Sequence, residues 1–227
     1  MIRVSDHVTR IGLAMLAVAL IATVAAAPAD AATIFKIDID STEEVNSVDT
    51  EPGFTSLNAT ATNSITVDSV TFAEAGSQGD RNRNDPASNL LTDFLFNENS
   101  GDVGLQISGL PEGIWEAKVW SFDAGGNSFE EAKNQNVGVK DGSNRTVFVT
   151  GFDDNDQNPA TFQFDTADFA NTFTIFTDGT EGTSGKKRAR FNGLELRQVI
   201  PEPASVGLGV AGLLGMLARR PRRPSSA

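Results

Sequence analysis

The chain has 227 residues, and the part between its two unusual ends, about 170 residues, is long enough for one domain with a sizeable core. Residues 32–200 contain 27 Asp and Glu against 12 Lys and Arg, a net charge of −15, which makes nucleic acid a poor partner. The chain has no Cys and its only His is His7, so the domain lacks Ser-His-Asp and Cys-His catalysis and the usual zinc ligands.

The first 31 residues have the order of a secretory signal peptide. Arg3 and Arg10 precede an apolar run over Ile11–Ala27, and small residues follow. Ala29 and Ala31 provide the small side chains that a signal peptidase accepts, which predicts cleavage after Ala31. The alternative is an N-terminal membrane anchor.

The region between the two ends has the pattern of β-structure. Apolar and polar residues alternate in IFKIDID, and NSITVDSVTF and TFTIFTD are rich in Thr, Val, Ile and Phe. Polar clusters such as EAGSQGDRNRNDPASN and DGTEGTSG are typical of turns and surface loops. Only SNLLTDFLF, residues 88–96, is compatible with a short helix. Many short strands with at most one helix predict an all-β fold, an antiparallel β-sandwich.

The segment EGIWEAKVWSFDAGG predicts a strand with two different faces. Trp115, Ala117 and Val119 share a face that suits the core, whereas Trp120 lies with Lys118 on a more polar face. An exposed indole beside carboxylate and amide groups can stack on the apolar face of a sugar ring. The alternative is that Trp120 packs under a loop or against a second layer.

Acidic clusters at several places offer the oxygen ligands that Ca²⁺ prefers. Glu43 and Glu44 follow the cluster of Asp38 and Asp40, and Asp178 belongs to another cluster, in TDGTEG. The spacing is not that of an EF-hand, and DDND is equally compatible with a solvated turn. No cofactor is required, but one structural Ca²⁺ is left open. Its candidate ligands are Asp38, Asp40, Asp153, Asp154 and Asp156.

Residues 34–199 contain five segments in a characteristic order: FKIDID, PGFTSLN, GDRNRNDPASNLLTDFLF, ISGLPEGIWEAKVWSFDAGG and ARFNGLELRQV. In this order the segments resemble the galactose-binding-like, malectin-like jelly roll. The resemblance implies a jelly roll that binds carbohydrate at loops along one rim, and related jelly rolls often contain a structural calcium. The loop after Asp123 lacks the His or Tyr often found there, which leaves the ligand open. The candidate binding residues are Asp80, Arg81, Arg83, Trp120, Asp123 and Asn127. The alternative for Arg81 and Arg83 is a structural ion pair with a nearby Asp.

The C-terminal stretch has three parts. Pro201, Glu202 and Pro203 interrupt strand pairing, and an apolar run over residues 204–218 follows. A stable span needs about 20 apolar residues, so this run predicts a short transmembrane helix. The positive-inside tendency places its basic end in the cytoplasm. That basic end consists of Arg219, Arg220, Arg222 and Arg223. The alternative, a buried helix of the domain, is disfavoured because the arginines and prolines would leave it uncovered.

The order of Pro-Glu-Pro, apolar run and arginine cluster over residues 201–223 resembles the PEP-CTERM sorting signal of Gram-negative bacteria. The resemblance implies recognition by an exosortase, cleavage near Pro201–Pro203 and transient insertion in the inner membrane. Delivery to the cell surface or extracellular matrix follows from it. Bacteria with this system usually make exopolysaccharide, which suits a sugar-binding domain.

The sequence therefore predicts a signal peptide (1–31), a β-sandwich (32–200), a sorting signal (201–223) and a short tail (224–227). The expected function is non-enzymatic binding of extracellular polysaccharide at the cell surface. One alternative is a structural matrix or biofilm protein that binds no glycan. The other is a glycoside hydrolase that uses a pair of carboxylates.

Overall fold

The computed structural model describes residues 32–41, 50–58, 63–82, 88–98, 101–123, 135–152, 157–179 and 188–200. Residues Ala32–Val199 form one compact unit. Two 3-10 turns, Asn89–Leu91 and Thr166–Asp168, occur in the described part. Its strands are β1 (Ile34–Asp40), β2 (Thr55–Asn58), β3 (Ser64–Val67), β4 (Val70–Ala75), β5 (Gly79–Asn82), β6 (Asp93–Asn97), β7 (Asp102–Ser108), β8 (Ile114–Trp120), β9 (Gln135–Asp141), β10 (Asn144–Phe152), β11 (Ala160–Asp165), β12 (Thr172–Gly179), β13 (Ala189–Phe191) and β14 (Gly193–Gln198).

Two large sheets pack on one another as a sandwich, which confirms the predicted all-β fold class. The five-stranded sheet has the order β11-β8-β14-β1-β2, and the six-stranded sheet has the order β10-β9-β12-β7-β4-β3. A third, three-stranded sheet has the order β13-β6-β5. Strands from both large sheets contribute to one apolar core, in which the Phe35 ring of β1 lies 5.6 Å from the Phe72 ring of β4.

The alternation of β8 is as predicted. Trp115, Ala117 and Val119 are fully buried in the core, and the indole Nε1 of Trp115 donates to the carbonyl of Pro111 at 3.0 Å. Trp120, on the opposite face, is half-buried. The core face of a strand can be identified from sequence because side chains alternate strictly between the two faces.

Three local predictions were wrong. Residues 88–96 form a 3-10 turn followed by β6 and not a helix, because Asp93–Asn97 pairs with both β5 and β13. The supposed loop around Asp80 contains β5. The sandwich is not wholly antiparallel, since β1 pairs with β2 in parallel, with Ile37 opposite Thr55. In each case pairing with a distant strand outweighs the local pattern.

The predictions for residues 1–31 and 201–227 lie outside the described residues. In the described ranges, no helix is both long enough and apolar enough to cross a membrane.

Asn192, between β13 and β14, connects several elements by hydrogen bonds. Its backbone accepts from Ile39 N at 3.0 Å and donates to the carbonyl of Trp120 at 2.9 Å. Its side-chain Oδ1 accepts from Phe122 N at 2.6 Å, and its Nδ2 donates to the carbonyl of Asp93 at 2.9 Å. Asn192 is fully buried, so none of these bonds can be replaced by bulk water.

We expect Asn192→Ala to destabilise the domain strongly. The substitution leaves Phe122 N and the Asp93 carbonyl buried without this partner, at a cost of about 1–3 kcal/mol each. Urea unfolding should therefore show a loss of about 2–6 kcal/mol in the free energy of unfolding. The control is Asn144→Ala, at an exposed position of β10, which should change the free energy of unfolding by less than about 0.5 kcal/mol. Equal effects of the two substitutions would contradict this role of Asn192.

Candidate functional site

The strand register places predicted acidic and aromatic residues on the same face of the five-stranded sheet. Asp38 of β1 lies opposite Gly193 of β14, and Gly193 lies opposite Trp120 of β8. Directly opposite residues project their side chains to the same face, so the three form one row across the sheet. This face is turned away from the core, which Ile37 and Val119 enter from the other side.

Gly193 has a steric role in this row. A Cβ at this position would lie 2.5 Å from Leu90 Cδ1 and 2.9 Å from the carbonyl oxygen of Ile37. The missing side chain therefore lets the 3-10 turn with Leu90 approach the sheet between Asp38 and Trp120.

Trp120 is packed on one side. The ring of Phe54 meets it edge to face, with the centroids 5.8 Å apart and the planes at 76°. The ammonium group of Lys36 lies 5.3 Å from the centre of the Phe54 ring, a cation–π distance. Both aromatic side chains remain partly accessible to solvent. The predicted alternative, packing of Trp120 against a connecting segment, therefore applies to part of the indole.

The adjacent row on the same face consists of charges. Glu195 lies opposite both Lys36 and Lys118, and it forms ion pairs with them at 3.2 and 3.0 Å. Burial by itself raises the pKa of Glu195, but hydrogen bonds and charge from Lys118 and Lys36 outweigh it and hold the pKa below its usual range. We call Phe54, Trp120, Lys36, Lys118 and Glu195 the Trp120 surface.

Asp38 and Asp40 are buried although they lie on the face of β1 turned away from the core. Both are fully inaccessible to solvent, because the segment Thr50–Phe54 lies next to them. Thr50 Oγ1 donates to Asp40 Oδ2 at 2.8 Å, and Glu51 N donates to Asp38 Oδ2 at 2.6 Å. The second carboxylate oxygen of each, Oδ1, is buried without a hydrogen-bond partner.

Glu51 links this segment to the 3-10 turn. Its Oε2 accepts from Ser88 Oγ at 2.9 Å and from Leu90 N at 3.3 Å. Burial raises the pKa of Asp38 to about 8; the hydrogen bond from Glu51 N opposes this rise, and Asp40, Asp93 and Glu51 add to it through charge repulsion. We call Asp38, Asp40, Glu51 and Asp93 the carboxylate cluster.

Of the other predicted binding residues, those in the described ranges belong to or contact the three-stranded sheet: Asp80 and Arg81 lie on β5, and Asp123 contacts Arg190 of β13. Arg81 of β5 lies over the ring of Phe96, 4.6 Å from its centre, and is 3.8 Å from Glu98 Oε1. The partner of this ion pair is thus Glu98 and not an Asp. Asp123 accepts from Nε of Arg190 at 3.1 Å.

Asp80 belongs to β5, and its Oδ2 is buried without a hydrogen-bond partner. Arg190 also lies over Phe96, with 5.9 Å between its guanidinium and the ring centre. Arg81 and Asp123 thus come near one another through Phe96 and Arg190, whereas Trp120 belongs to the five-stranded sheet.

The remaining predicted residues lie outside the described residues. They are Arg83, Asn127, Asp153, Asp154 and Asp156, together with Glu43 and Glu44. Within the described ranges, no group of three or more His, Cys, Asp or Glu side chains is arranged to hold a metal ion. Asp178, which was grouped with the acidic clusters, forms an ion pair with Arg145 on the six-stranded sheet.

Sequence reasoning missed several residues of the site. Phe54 and Glu51 belong to a segment that sequence patterns did not connect with Trp120. The sequence also did not indicate that Arg190 is buried, with only 2% of its surface exposed. The segment PGFTSLN, which contains Phe54, contributed to the predicted resemblance to a jelly-roll family, but none of its residues was predicted to belong to the binding site. The contacts of these residues depend on the parallel pairing of β2 with β1 and on the position of the 3-10 turn.

No protein-family model matches the chain, and no curated protein matches its sequence significantly.

The raised pKa of Asp38 predicts how stability varies with pH in a buffer that contains a chelator. Between about pH 4 and pH 8 the folded state holds a proton on Asp38 that the unfolded state releases. The free energy of unfolding should therefore decrease as the pH rises through this range, by at most about 1.4 kcal/mol per pH unit, and this contribution should stop changing above the folded-state pKa. Asp38→Asn, which cannot titrate, should show a flatter profile in urea unfolding at pH 5, 6, 7 and 8. Parallel profiles for the two proteins would contradict the assignment to Asp38.

Proposed function

We propose that the chain is an exported, exosortase-sorted cell-surface protein whose β-sandwich binds extracellular polysaccharide without catalysis. The proposal includes that the sandwich is a jelly roll of the galactose-binding-like, malectin-like type. The observation that supports it best is the Trp120 surface, where a partly exposed indole and a phenyl ring lie beside a row of alternating charges. Aromatic faces stack on sugar rings, and charged groups beside them hydrogen-bond to hydroxyls.

The charge of the domain supports a neutral ligand. A net charge of −15 over residues 32–200 repels polyanions, whereas a neutral polysaccharide meets no such repulsion. Glu195 is paired with two lysines, so the row next to Trp120 has one positive charge in excess and contains both hydrogen-bond donors and acceptors.

The proposed site differs from the rim expected from the family resemblance. Arg81 stacks on Phe96, and Asp123 is bonded to the buried Arg190, so these two side chains have structural partners. Among the predicted binding residues in the described ranges, Trp120 is the aromatic one, and it combines partial exposure with an apolar partner and nearby charges.

Hydrolysis by a carboxylate pair gains no support from the carboxylate cluster. Asp38 and Asp40 are fully buried, and an acid and base that attack a glycosidic bond must reach the substrate in a cleft. A matrix protein that only self-associates remains the rival, and it differs from our proposal in binding no glycan.

Trp120→Ala should weaken polysaccharide binding by about 10-fold or more, because it removes the stacking surface. The protein purified after export is tested on a glycan array and by affinity electrophoresis in gels with neutral polysaccharides. Phe54→Ala should weaken the same interaction through loss of the neighbouring ring. The matched control is Phe148→Ala, which removes another partly exposed aromatic ring, on β10 of the other large sheet.

Unchanged binding by Trp120→Ala would place the site elsewhere. Absence of binding to any glycan by the unaltered protein would favour the matrix protein.

The sorting proposal predicts processing at the C-terminus. Mass spectrometry of the surface protein should find no peptide beyond Pro203, and Glu202→Ala should cause the tail to be retained in the membrane fraction. Detection of GVAGLLGMLAR in the unaltered surface protein would show that the apolar run is a permanent anchor.

A further inference from the structure

Among the described strands, β10 has the largest exposed share, and it forms one edge of the six-stranded sheet. Seven of the nine residues of Asn144–Phe152 are exposed. The other outer strands of the two large sheets, β2, β3 and β11, have only four to six residues each. An edge strand presents a row of backbone N–H and C=O groups, and a long exposed edge is a template for pairing with another chain.

This edge carries little of the charge that usually protects an edge strand. The only charged residue of β10, Arg145, forms ion pairs with Asp102 and Asp178 of its own sheet. The strand contains no Pro and no acidic residue, although residues 32–200 have a net charge of −15. A second acidic domain can therefore approach β10 with less repulsion than it meets where the surface carries carboxylates.

The same strand exposes apolar surface. Val147 and Phe148 are each 38% exposed, which places them among the four exposed large apolar side chains of the described ranges. The ring of Phe148 stacks on the ring of Phe162 in β11, with the centroids 4.8 Å apart, and the rest of it is open to solvent. Burial of this apolar surface would drive association.

The sequence of β10 reads the same in both directions about Phe148. Residues 146–150 are Thr-Val-Phe-Val-Thr. If two copies pair antiparallel about a two-fold axis at Phe148, each Thr of one copy lies opposite a Thr of the other, and each Val lies opposite a Val. Thr–Thr and aromatic pairs are favourable cross-strand neighbours. The strand is thus complementary to itself, which favours a second copy of this chain as its partner.

We propose that two copies of the chain pair antiparallel through β10, about Phe148, so that their six-stranded sheets join into one continuous sheet. Such a two-fold contact is closed, so it yields a dimer and not a fibre. Trp120 belongs to the other large sheet, and each domain keeps its own Trp120 surface in the dimer. The pairing therefore goes beyond the proposed binding of polysaccharide and does not depend on it.

The irregular register of β10 is compatible with this symmetry. Phe148 has no opposite residue on β9, because the register shifts between Val147 and Val149. With Phe148 on the axis, the extra residue of one copy faces the extra residue of the other, so the flanking residues keep matching positions. A second shift, between Val149 and Phe152, lies toward the end of the strand. We therefore expect the pairing over residues 146–150.

Sedimentation velocity of the protein purified after export measures this association. We expect a monomer–dimer equilibrium in which the dimer fraction rises with protein concentration. Thr146→Lys combined with Thr150→Lys alters two exposed positions and places Lys opposite Lys, which should weaken dimerisation by at least about 10-fold. The matched control, Ser64→Lys with Thr66→Lys, adds the same charge to exposed positions of β3, at the other edge of the same sheet. It should dimerise like the unaltered protein.

A charge exchange tests the register of the pairing. Thr146→Glu combined with Thr150→Glu should also dimerise weakly by itself, because like charges again lie opposite one another. A mixture of the Glu variant and the Lys variant should recover the dimer, since each Lys then lies opposite a Glu.

Disulfide cross-linking locates the contact, because the chain has no Cys of its own. Thr146→Cys mixed with Thr150→Cys should form a disulfide-linked dimer under mild oxidation, since the two positions lie opposite one another within the reach of a disulfide. Either variant alone should cross-link far less, because its two sulfurs would lie about 13 Å apart along the strands. Asp68→Cys, at an exposed turn position, gives the background of random cross-linking. This measurement keeps the proposal testable if the Lys variant fails to fold.

The proposal is overturned if the unaltered protein remains a monomer at every concentration tested, or if the folded Lys variant dimerises as strongly as the unaltered protein. It is equally overturned if the mixed Cys variants cross-link no more than Asp68→Cys does. A dimer that binds no glycan leaves the pairing established and removes only the proposed function, so the two proposals fail independently.

Discussion

The buried Asn192 is the constraint on which the site depends. Its hydrogen bonds connect the end of β1, the end of β8 and the start of β6, which are far apart in sequence. Each bond is made in the interior, where an unpaired polar group is costly, so the geometry at this point has few alternatives. The next residue, Gly193, then occupies the middle of the row between Asp38 and Trp120.

The carboxylate cluster and the Trp120 surface both depend on the position of Gly193. The absence of a side chain at Gly193 admits Leu90, and the 3-10 turn with Leu90 bonds to Glu51, which in turn bonds to Asp38. The segment with Glu51 also presents Phe54 to Trp120. One set of contacts thus buries acidic residues at one end of the row and supports an aromatic pair at the other.

Sequence patterns predicted the parts of this arrangement that depend on local chemistry. The alternation in β1 and β8 identified the core faces, since a strand places successive side chains on opposite faces. It also placed Asp38, Asp40 and Trp120 on the more polar faces of their strands. The short helix that the pattern of residues 88–96 allowed does not form, because pairing of β6 with two other strands outweighs an apolar pattern that fits either structure.

The sequence by itself determined the all-β class, the faces of the main strands and the residue types available for chemistry, because these follow from side-chain period and composition. It also contains the Pro-Glu-Pro tail, which is a property of the primary structure. Only the tertiary structure decided that Asp38 and Asp40 are buried and that Trp120 is half-covered by Phe54. Burial depends on which distant segment covers a face. That covering is set by the parallel pairing of β2 and by the bonds of Asn192, neither of which has a local signal.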